Sequence, residues 1–465
     1  MTPLTATKQQ RIGPWVVRHV MYPHVFGLLR KVSGKSIMAH VARFEEQSRW
    51  PPERRAEHTL TRIRELFQHA WDHVPIWREK LTSIGAEPGD IRTWEDFARV
   101  PRLKRDEVRN RLDDCLADNV PEDQRILCRS SGSSGERLCF WADRARDPLH
   151  HATVHLNHRW VGIEVGEREA MLWADVGLPF GRRSWHKRLP LRLLNRMFFS
   201  TQRLDEEMLN LFHRRVSRFR PRLLTVFPTL LAVYIRHCHE RGLRPPRPRA
   251  IISTGEMLSA ANRSLFEEAL GAPVFDRFGS VELGDIAHEC EAHEGMHINA
   301  HRVWVEVLPI EGLDESMGAL AVTDLDNRAL PLIRYETGDL GRLWPSETTH
   351  RCPCGRTLPR LEAMMGRFIE VVRGPSGRHW PQLCFTILPH LRVPGILNMQ
   401  IVHRPPRTII CRCQTEQGFP GDGPARIAEV IHENTDREFD VSVELTDDLI
   451  RTPTGKLRRL IIEGD

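Results

Sequence analysis

The stretch that decides the fold runs from Arg249 to Ser280 and reads "RAIISTGEMLSAANRSLFEEALGAPVFDRFGS". The apolar run from Ala250 to Ser253 predicts a strand, and apolar residues at helical spacing predict a helix from about Ser259 to Leu270. A second strand is predicted from Val274 to Arg277. A strand, a helix and a strand in this order indicate a parallel sheet covered by helices.

The same alternation precedes this stretch. Residues Leu223 to Phe227 predict a strand, and a helix is expected to begin at Pro228 and to end at Gly242. Nearer the N-terminus, apolar residues recur at helical spacing between Glu57 and Lys80, with a break near Pro75. We therefore expect an α/β fold.

Beyond Glu289 the pattern changes to short strands separated by turn residues, which predicts an antiparallel or barrel-like annex. A segment with several glycines and prolines, Met364 to Gln382, predicts a hinge. The expected organisation is a large N-terminal domain of parallel sheets, helices and the annex, residues 1–365. A small α/β domain, residues 366–465, is expected to follow.

The composition is that of a globular protein. The chain has 465 residues, of which 40% are hydrophobic and 28% charged, and no apolar run reaches the roughly 20 residues of a membrane-spanning helix. No signal-peptide pattern is present at the start, and the ten cysteines are scattered, which predicts a cytoplasmic protein. The net charge is +6, with basic and acidic residues interleaved, so nucleic acid is not an expected partner.

The segment from Trp15 to Val32 is basic and amphipathic. Such a helix either packs on the body of the protein or lies on a membrane surface. Packing on the body is the favoured interpretation, because most amphipathic helices are packed in this way, and contact with a membrane surface is the alternative.

A loop rich in serine and glycine lies between two short apolar runs and consists of Ser130, Ser131, Gly132, Ser133, Ser134 and Gly135. Consecutive backbone N–H groups and hydroxyls in such a loop can hold phosphate. The loop is neither a Walker sequence nor a G-x-G-x-x-G motif, and an apolar run that predicts a strand follows it. By itself the loop fits a hairpin turn as well as a phosphate site.

Six motifs occur in a fixed order along the chain: "SSGSSGERL", "ISTGEMLS", "DRFGSVELG", "LPLIRYETGDLGRL", "CPCGRTLPRLEAMMGR" and "RTPTGKLRRLI". Together they resemble the adenylate-forming (acyl-CoA synthetase-like) superfamily, and specifically its phenylacetate-CoA ligase branch. The resemblance covers nearly the whole chain. It implies that ATP activates a carboxylic acid as an acyl-AMP, usually followed by transfer to coenzyme A.

The resemblance also implies roles for charged groups at the phosphates. The loop from Ser130 to Gly135 would hold the β- and γ-phosphates, with Arg137 close to the position of the family's usual lysine. Glu282 matches the acidic residue that helps bind Mg²⁺. Lys456 matches the lysine that the small domain brings to the α-phosphate.

The remaining ATP-binding residues implied by the resemblance are Gly255, Glu256, Phe278, Gly279, Ser280, Asp339 and Arg367. Phe278 stands where the family usually has a tyrosine near adenine. Asp339 would accept hydrogen bonds from the ribose hydroxyls, with Arg367 as its partner. After Arg367 the chain departs from the family, with Ile369 and Glu370 where relatives carry acidic residues, so the acceptor of the acyl group stays open.

Four residues have the spacing of a structural zinc site: Cys290, His297, Cys352 and Cys354. A C-x6-H pair followed by C-x-C supplies four thiolate and imidazole ligands, enough for a closed tetrahedral site. His288, His293 and His301 are alternative ligands, and the resemblance favours His297 because "GMH" matches the branch. Packed free cysteines are the alternative interpretation.

The sequence alone is compatible with several functions. An adenylyltransferase, or a ligase with an amine, hydroxyl or polysaccharide-linked acceptor, would use the same motifs. A zinc-supported nucleic-acid-binding protein is an alternative from another class. The substrate is expected to be a small or polymer-linked carboxylic acid, and a homodimer is an open expectation.

Overall fold

The computed structural model describes residues 13–17, 34–129, 138–173, 191, 193–200, 206–310, 317–344, 351–367, 371–377, 379–381, 383–451 and 457–463. Its helices, apart from single turns, are α1 Gly34–Gln47, α2 Pro52–His73, α3 Pro75–Ser83, α4 Trp94–Arg99, α5 Arg105–Asn110, α6 Asp147–Trp160, α7 Glu206–Phe219, α8 Pro228–Glu240, α9 Ala260–Leu270, α10 Leu383–Arg392 and α11 Gly423–Asn434. Its strands in the first half are β1 Arg125–Arg129, β2 Cys139–Asp143, β3 Glu169–Trp173, β4 Arg196–Ser200, β5 Leu223–Val226, β6 Ala250–Thr254, β7 Val274–Ser280, β8 Gly284–Glu289 and β9 Met296–Ile298. Those in the second half are β10 Val303–Pro309, β11 Met317–Asp324, β12 Tyr335–Leu343, β13 Arg360–Arg367, β14 Val371–Arg373, β15 His379–Pro381, β16 Ile396–Arg404, β17 Thr408–Thr415, β18 Asp440–Leu445 and β19 Leu460–Ile462.

Strands β3 to β7 form a parallel sheet, as expected. Strands β3 to β7 pair in the order β7-β6-β5-β3-β4, all in parallel. Helices α7, α8 and α9 cover one face, where Leu224 and Val226 of β5 pack among their side chains. The other face packs against the residues that follow α6, with Leu223 beside Val161 and Ile163. The α/β fold class is confirmed.

The antiparallel strands continue this sheet. β8 turns back beside β7 through the register pair Ser280 and Gly284, and β9, β13, β12, β11 and β10 follow outward. A separate barrel-like annex is therefore not confirmed, because the tight reversal between β7 and β8 keeps the next strands in the same sheet. β8 is buried along its whole length.

The N-terminal helices form a layer against the large domain. α2 ends at His73 and α3 begins at Pro75, which confirms the break expected near that proline, since proline is accommodated in the first turn of a helix. Trp77 is fully buried and its indole N–H donates to the Pro331 carbonyl at 3.0 Å. This contact ties α3 to the turn before β12.

The setting of the serine-glycine loop is a hairpin. β1 and β2 pair antiparallel, with Arg129 opposite Cys139, which confirms the expected strand after the loop. Residues Ser130 to Gly135 themselves lie outside the described residues.

The C-terminal part has its own four-stranded sheet, in the order β18-β17-β16-β19, with α10 and α11. The predicted domain boundary after residue 365 falls inside β13, which continues to Arg367, and it stays a prediction. The C-terminal part contacts the large domain where Asn262 Nδ2 donates to the Leu397 carbonyl at 3.3 Å and where Arg236 and Asp447 form an ion pair at 2.9 Å.

In the part of the chain that the structure describes, none of the helices has the length and apolar character to cross a bilayer. Of the basic amphipathic segment Trp15 to Val32, only residues 15–17 are described.

Candidate functional site

The loop after β6 carries Gly255, whose φ is +77°. A Cβ atom here would overlap the ring of Phe227, the residue that follows β5. A side chain would therefore collide with a buried aromatic ring and would also strain the backbone. Glycine at this position lets the carboxyl ends of β5 and β6 approach each other.

Glu256 joins three segments at this edge of the sheet. Its carboxylate accepts hydrogen bonds from the backbone N–H of Thr229 at 3.0 Å and from the Thr229 hydroxyl at 2.7 Å. Thr229 lies in the first turn of α8, where an anionic acceptor is favourable. The same carboxylate accepts from the backbone N–H of Leu457 at 3.2 Å, the residue that directly follows Lys456.

The end of β7 is shaped by Phe278, Gly279 and Ser280. A Cβ on Gly279 would lie 2.5 Å from the Gly284 carbonyl oxygen, so the close pairing of β7 with β8 requires glycine. The Ser280 hydroxyl accepts from the backbone N–H of Leu283 at 3.1 Å, and Phe278 is half-buried against the main core. These contacts fix the turn that contains Glu282.

Glu282 is buried and ion-paired. Nη1 of Arg105 donates to its Oε1 at 2.8 Å, and Arg105 also interacts electrostatically with Tyr335 of β12. Burial acts to lower the pKa of Arg105, but its interactions with Tyr335 and Glu282 outweigh that effect and raise this pKa. Arg105 was not among the residues predicted from the sequence, and it connects the β7–β8 turn to β12.

The Glu282 carboxylate has one oxygen that could bind Mg²⁺, as expected from the sequence. Among the described residues only its Oε1 takes part in a hydrogen bond, which leaves Oε2 for a cation. Mg²⁺ commonly uses one or two protein carboxylates together with substrate phosphates. The donor set here therefore fits a phosphate-bound ion held by one side chain.

Asp339 and Arg367, the expected ribose-binding pair, are direct partners across β12 and β13. Asp339 is half-buried, and its backbone N–H donates to the Thr337 hydroxyl at 3.1 Å. Although 28 residues separate the two positions in the sequence, antiparallel pairing places their backbones opposite each other.

The four predicted zinc ligands come together. The ligand atoms of Cys290, His297, Cys352 and Cys354 all lie within 4.8 Å of one another. The Sγ atoms of Cys290 and Cys352 are 3.6 Å apart, and Cys354 Sγ is 3.2 Å from His297 Nε2. Two thiolates bound tetrahedrally to zinc at about 2.3 Å would be about 3.8 Å apart, so the donor set fits this ion.

Neighbouring groups orient these ligands. Nδ1 of His297 lies 3.3 Å from the Leu358 carbonyl and can donate to it, which leaves Nε2 for the metal. Backbone N–H groups of Ala292 and Arg356 point at the sulfurs of Cys290 and Cys354, at 3.5 and 3.4 Å. Such donors stabilise thiolates.

The alternative histidines have other partners. Nδ1 of His288 lies 2.6 Å from the Glu289 carbonyl, His293 pairs with the Glu289 carboxylate, and His301 contacts the Thr153 hydroxyl. The structure thus brings His297 to the cysteines, as the motif predicted.

Three of the predicted parts of the ATP site lie outside the described part of the chain: the loop from Ser130 to Gly135, Arg137 and Lys456. The described residues nearest to them in the sequence are Arg129, Leu138 and Leu457. The structure describes the other predicted ATP-site residues, and for Arg367 it describes the backbone.

Comparison with known proteins gives consistent results. The chain is 26% identical over 337 residues to the phenylacetate-coenzyme A ligase of Pseudomonas putida, covering 68% of this chain and 72% of that protein. It is 22% identical over 251 residues to Protein CapK of Staphylococcus aureus, covering 53% and 54%. The structure of a 2-hydroxyisobutyryl-CoA ligase in the postadenylation state superposes with a TM-score of 0.68 at 20% identity, covering 90% of this chain and 91% of that one. No family model matches the chain.

Proposed function

The chain belongs to the adenylate-forming superfamily, related to its phenylacetate-CoA ligases, and from that premise we propose that it activates a carboxylic acid with ATP and forms an acyl-CoA. The first half-reaction gives an acyl-AMP and pyrophosphate. In the second, the thiol of coenzyme A displaces AMP.

The contact between Glu256 and Leu457 carries this proposal. It ties the segment next to Lys456 to the loop after β6, at the carboxyl end of the parallel strands, where ligands bind in sheets of this kind. Glu256 and Lys456 were assigned to one site from motifs 200 residues apart. A domain interface at this point is where a lysine from the small domain would reach a nucleotide.

Each residue group would serve one part of the adenylation step. An oxygen of the substrate carboxylate attacks the α-phosphorus, and the bond to the pyrophosphate oxygen breaks. Lys456 would stabilise the negative charge that develops at the α-phosphate, and the loop from Ser130 to Gly135 would hold the departing pyrophosphate in line. Asp339 and Arg367 would hold the ribose, while Gly255, Glu256 and the segment Phe278 to Ser280 would line the adenine and acyl pockets.

Two metal ions have separate roles in this proposal. The Glu282 carboxylate would hold Mg²⁺, which would supply positive charge for the phosphates of ATP. Zn²⁺ would be structural, since four protein ligands fill a tetrahedral site and leave no open position for chemistry. The reaction itself would not use the zinc.

The location and the acceptor are also part of the proposal. All ten cysteines are free of disulfides, which suits a reducing compartment, and we propose the cytoplasm, where ATP and coenzyme A are available. A non-CoA acceptor remains the second candidate, because Ile369 and Glu370 replace the family's usual residues after Arg367.

A pyrophosphate-release screen over carboxylic acids, with and without coenzyme A, tests the function. At least one acid should release pyrophosphate, and Lys456→Ala should slow that release about a hundred- to a thousandfold. Arg458→Ala, at an exposed neighbouring residue, is the matched control and should leave the rate unchanged. Equal rates for wild type and Lys456→Ala would contradict the proposal, and a thioester product formed only with coenzyme A would identify the acceptor.

A further inference from the structure

One segment departs from the interleaved charges of the rest of the chain. Residues Arg214 to Arg249 contain ten arginines, no lysine and a single acidic residue, Glu240. The segment therefore carries a net charge of +9, whereas the whole chain carries +6, so the remainder is acidic overall. The positive charge of this protein is concentrated here.

The structure gathers part of this segment at one edge of the sheet. Arg220 and Arg222 precede β5, and Arg247 and Arg249 precede β6, and all four are exposed. The backbone N–H of Arg249 donates to the Arg222 carbonyl at 2.7 Å, and Nε of Arg168 donates to the Arg220 carbonyl at 2.7 Å. We call Arg220, Arg222, Arg247 and Arg249 the arginine edge.

Most of the positive charge of the arginine edge is not neutralised by carboxylates of the described residues. Arg222 lies 3.5 Å from Glu167, a weakly coupled surface pair. Across the described ranges, Arg220, Arg247 and Arg249 form no ion pair with a carboxylate. Exposed guanidinium groups at this density create a positive potential that attracts polyanions or anionic surfaces.

The loop before β3 contacts both the arginine edge and a segment with two exposed apolar side chains. A Cβ on Gly162 of this loop would lie 3.1 Å from the Arg249 guanidinium, and one on Gly166 would lie 2.6 Å from the Pro14 carbonyl. Trp15 and Val16, which follow Pro14, are 67% and 38% exposed. Exposed tryptophan together with clustered arginines is typical of surfaces that lie in the membrane interface.

We propose that the arginine edge, with Trp15 and Val16, binds the surface of a membrane that contains anionic phospholipids. The arginines would pair with lipid phosphates, and Trp15 and Val16 would enter the headgroup region. A nucleic acid would satisfy the arginines but would leave Val16 without an apolar partner.

The geometry keeps the nucleotide site clear of such a membrane. The arginines lie at the amino ends of β5 and β6, whereas Phe227 and Gly255 lie beyond the carboxyl ends of the same strands. The four residues of β5 span about 13 Å, so binding by one end directs the other end away from the bilayer.

Vesicle flotation of the full chain tests the proposal. The protein should float with phosphatidylcholine vesicles that contain phosphatidylglycerol but not with pure phosphatidylcholine, and added salt should weaken the binding. The triple variant Arg220→Glu/Arg247→Glu/Arg249→Glu should bind at least about a hundredfold more weakly, since each basic residue near an anionic surface contributes roughly fivefold. The control Arg99→Glu/Arg328→Glu/Arg407→Glu makes the same change in net charge at other exposed arginines and should retain binding.

Three results would overturn the proposal: equal flotation with neutral and anionic vesicles, equal losses in the two triple variants, or binding to duplex DNA without binding to either vesicle. If circular dichroism shows that the first triple variant does not fold, Trp15→Ala replaces it. That variant changes one exposed side chain and should bind anionic vesicles several-fold more weakly. Unchanged binding of Trp15→Ala would then overturn the proposal.

Discussion

The Glu256 carboxylate accepts a hydrogen bond from the Leu457 backbone N–H, 201 positions further along the chain. Because it also accepts from Thr229 at the start of α8, this carboxylate connects that helix to the segment that precedes β19. The position of the C-terminal part of the chain is thus linked to the loop after β6.

Replacing Glu256 should affect both stability and activity. Glu256→Ala removes the acceptor of both backbone N–H groups, so we expect the free energy of unfolding to fall by about 1–3 kcal/mol. Pyrophosphate release should slow as well, because the segment beside Lys456 loses its contact. Glu268→Ala, at an exposed position of α9, is the control for denaturation and activity, and equal effects in the two variants would contradict this linkage.

The Arg105–Glu282 ion pair should contribute strongly to the free energy of unfolding, because the two side chains are only 11% and 4% exposed. Removing one member of a buried pair typically costs about 3–5 kcal/mol, since the other charge stays buried without its partner. We expect Arg105→Ala to lower the free energy of unfolding by an amount in this range. Adding Glu282→Gln to that variant should recover part of the loss, because it removes the unpaired buried charge. The exposed pair Arg392–Glu433, at 3.0 Å, is the reference.

A double-mutant cycle on each pair measures the coupling energy. For Arg105 and Glu282 we expect more than about 1 kcal/mol, whereas the exposed pair should give less than about 1 kcal/mol. Similar coupling in both pairs would mean that burial does not strengthen the interaction.

The metal cluster should hold one zinc ion per chain. Cys352→Ser should lose that ion and lower the melting temperature, because metal binding by a closed site contributes to folding. Elemental analysis and thermal denaturation measure both effects. Cys115→Ser, at a buried cysteine outside the cluster, should keep its zinc, and equal zinc contents in the two variants would exclude this site.

A half-buried carboxyl group, that of Asp276, should make stability depend on pH. Burial, and secondly the neighbouring Glu289 carboxylate, raise the pKa of Asp276 from 3.8 to about 7. The folded protein therefore keeps a proton that the unfolded chain loses at lower pH, so this stabilising contribution is present in acid and is lost as the pH rises from about 4 to about 7. A shift of this size corresponds to at most about 4 kcal/mol.

Asp276→Asn removes this titration and retains an acceptor for the Arg277 backbone N–H. Between about pH 4 and pH 7, the free energy of unfolding of the wild type should fall relative to that of the variant by about 2–4 kcal/mol. Denaturant titrations at several pH values give this difference, in which the other titrating groups largely cancel. Asp448→Asn, at an exposed position, should show no such trend.

The elements of the parallel sheet were predictable because their signals are local. Pro228 begins α8 and Ser259 caps α9, whose end is marked by Gly271 with φ +62°, as the helix signals indicated. The continuation of the antiparallel strands into the same sheet was not predictable. It depends on the Ser280–Gly284 reversal, and strand patterns alone do not state which neighbour a strand will pair with.

The candidate site also contains residues that the sequence predicted and one that it missed. The cluster of Cys290, His297, Cys352 and Cys354 was predictable because cysteine and histidine at this spacing are typical of structural zinc sites, and the resemblance favoured His297 among the four histidines. Arg105 was missed because nothing local distinguishes it from other surface-helix arginines. Its partner Glu282 is 177 positions away.

Strand β8 begins two residues after Glu282 and ends one residue before Cys290, and every residue of the strand is buried. A six-residue strand is a stiff connector of about 20 Å. A zinc ion held at Cys290 would therefore restrain the far end of the strand that begins beside Glu282, the proposed magnesium ligand. Removing that ion should then loosen the position of the Glu282 carboxylate as well as lower the stability of the fold.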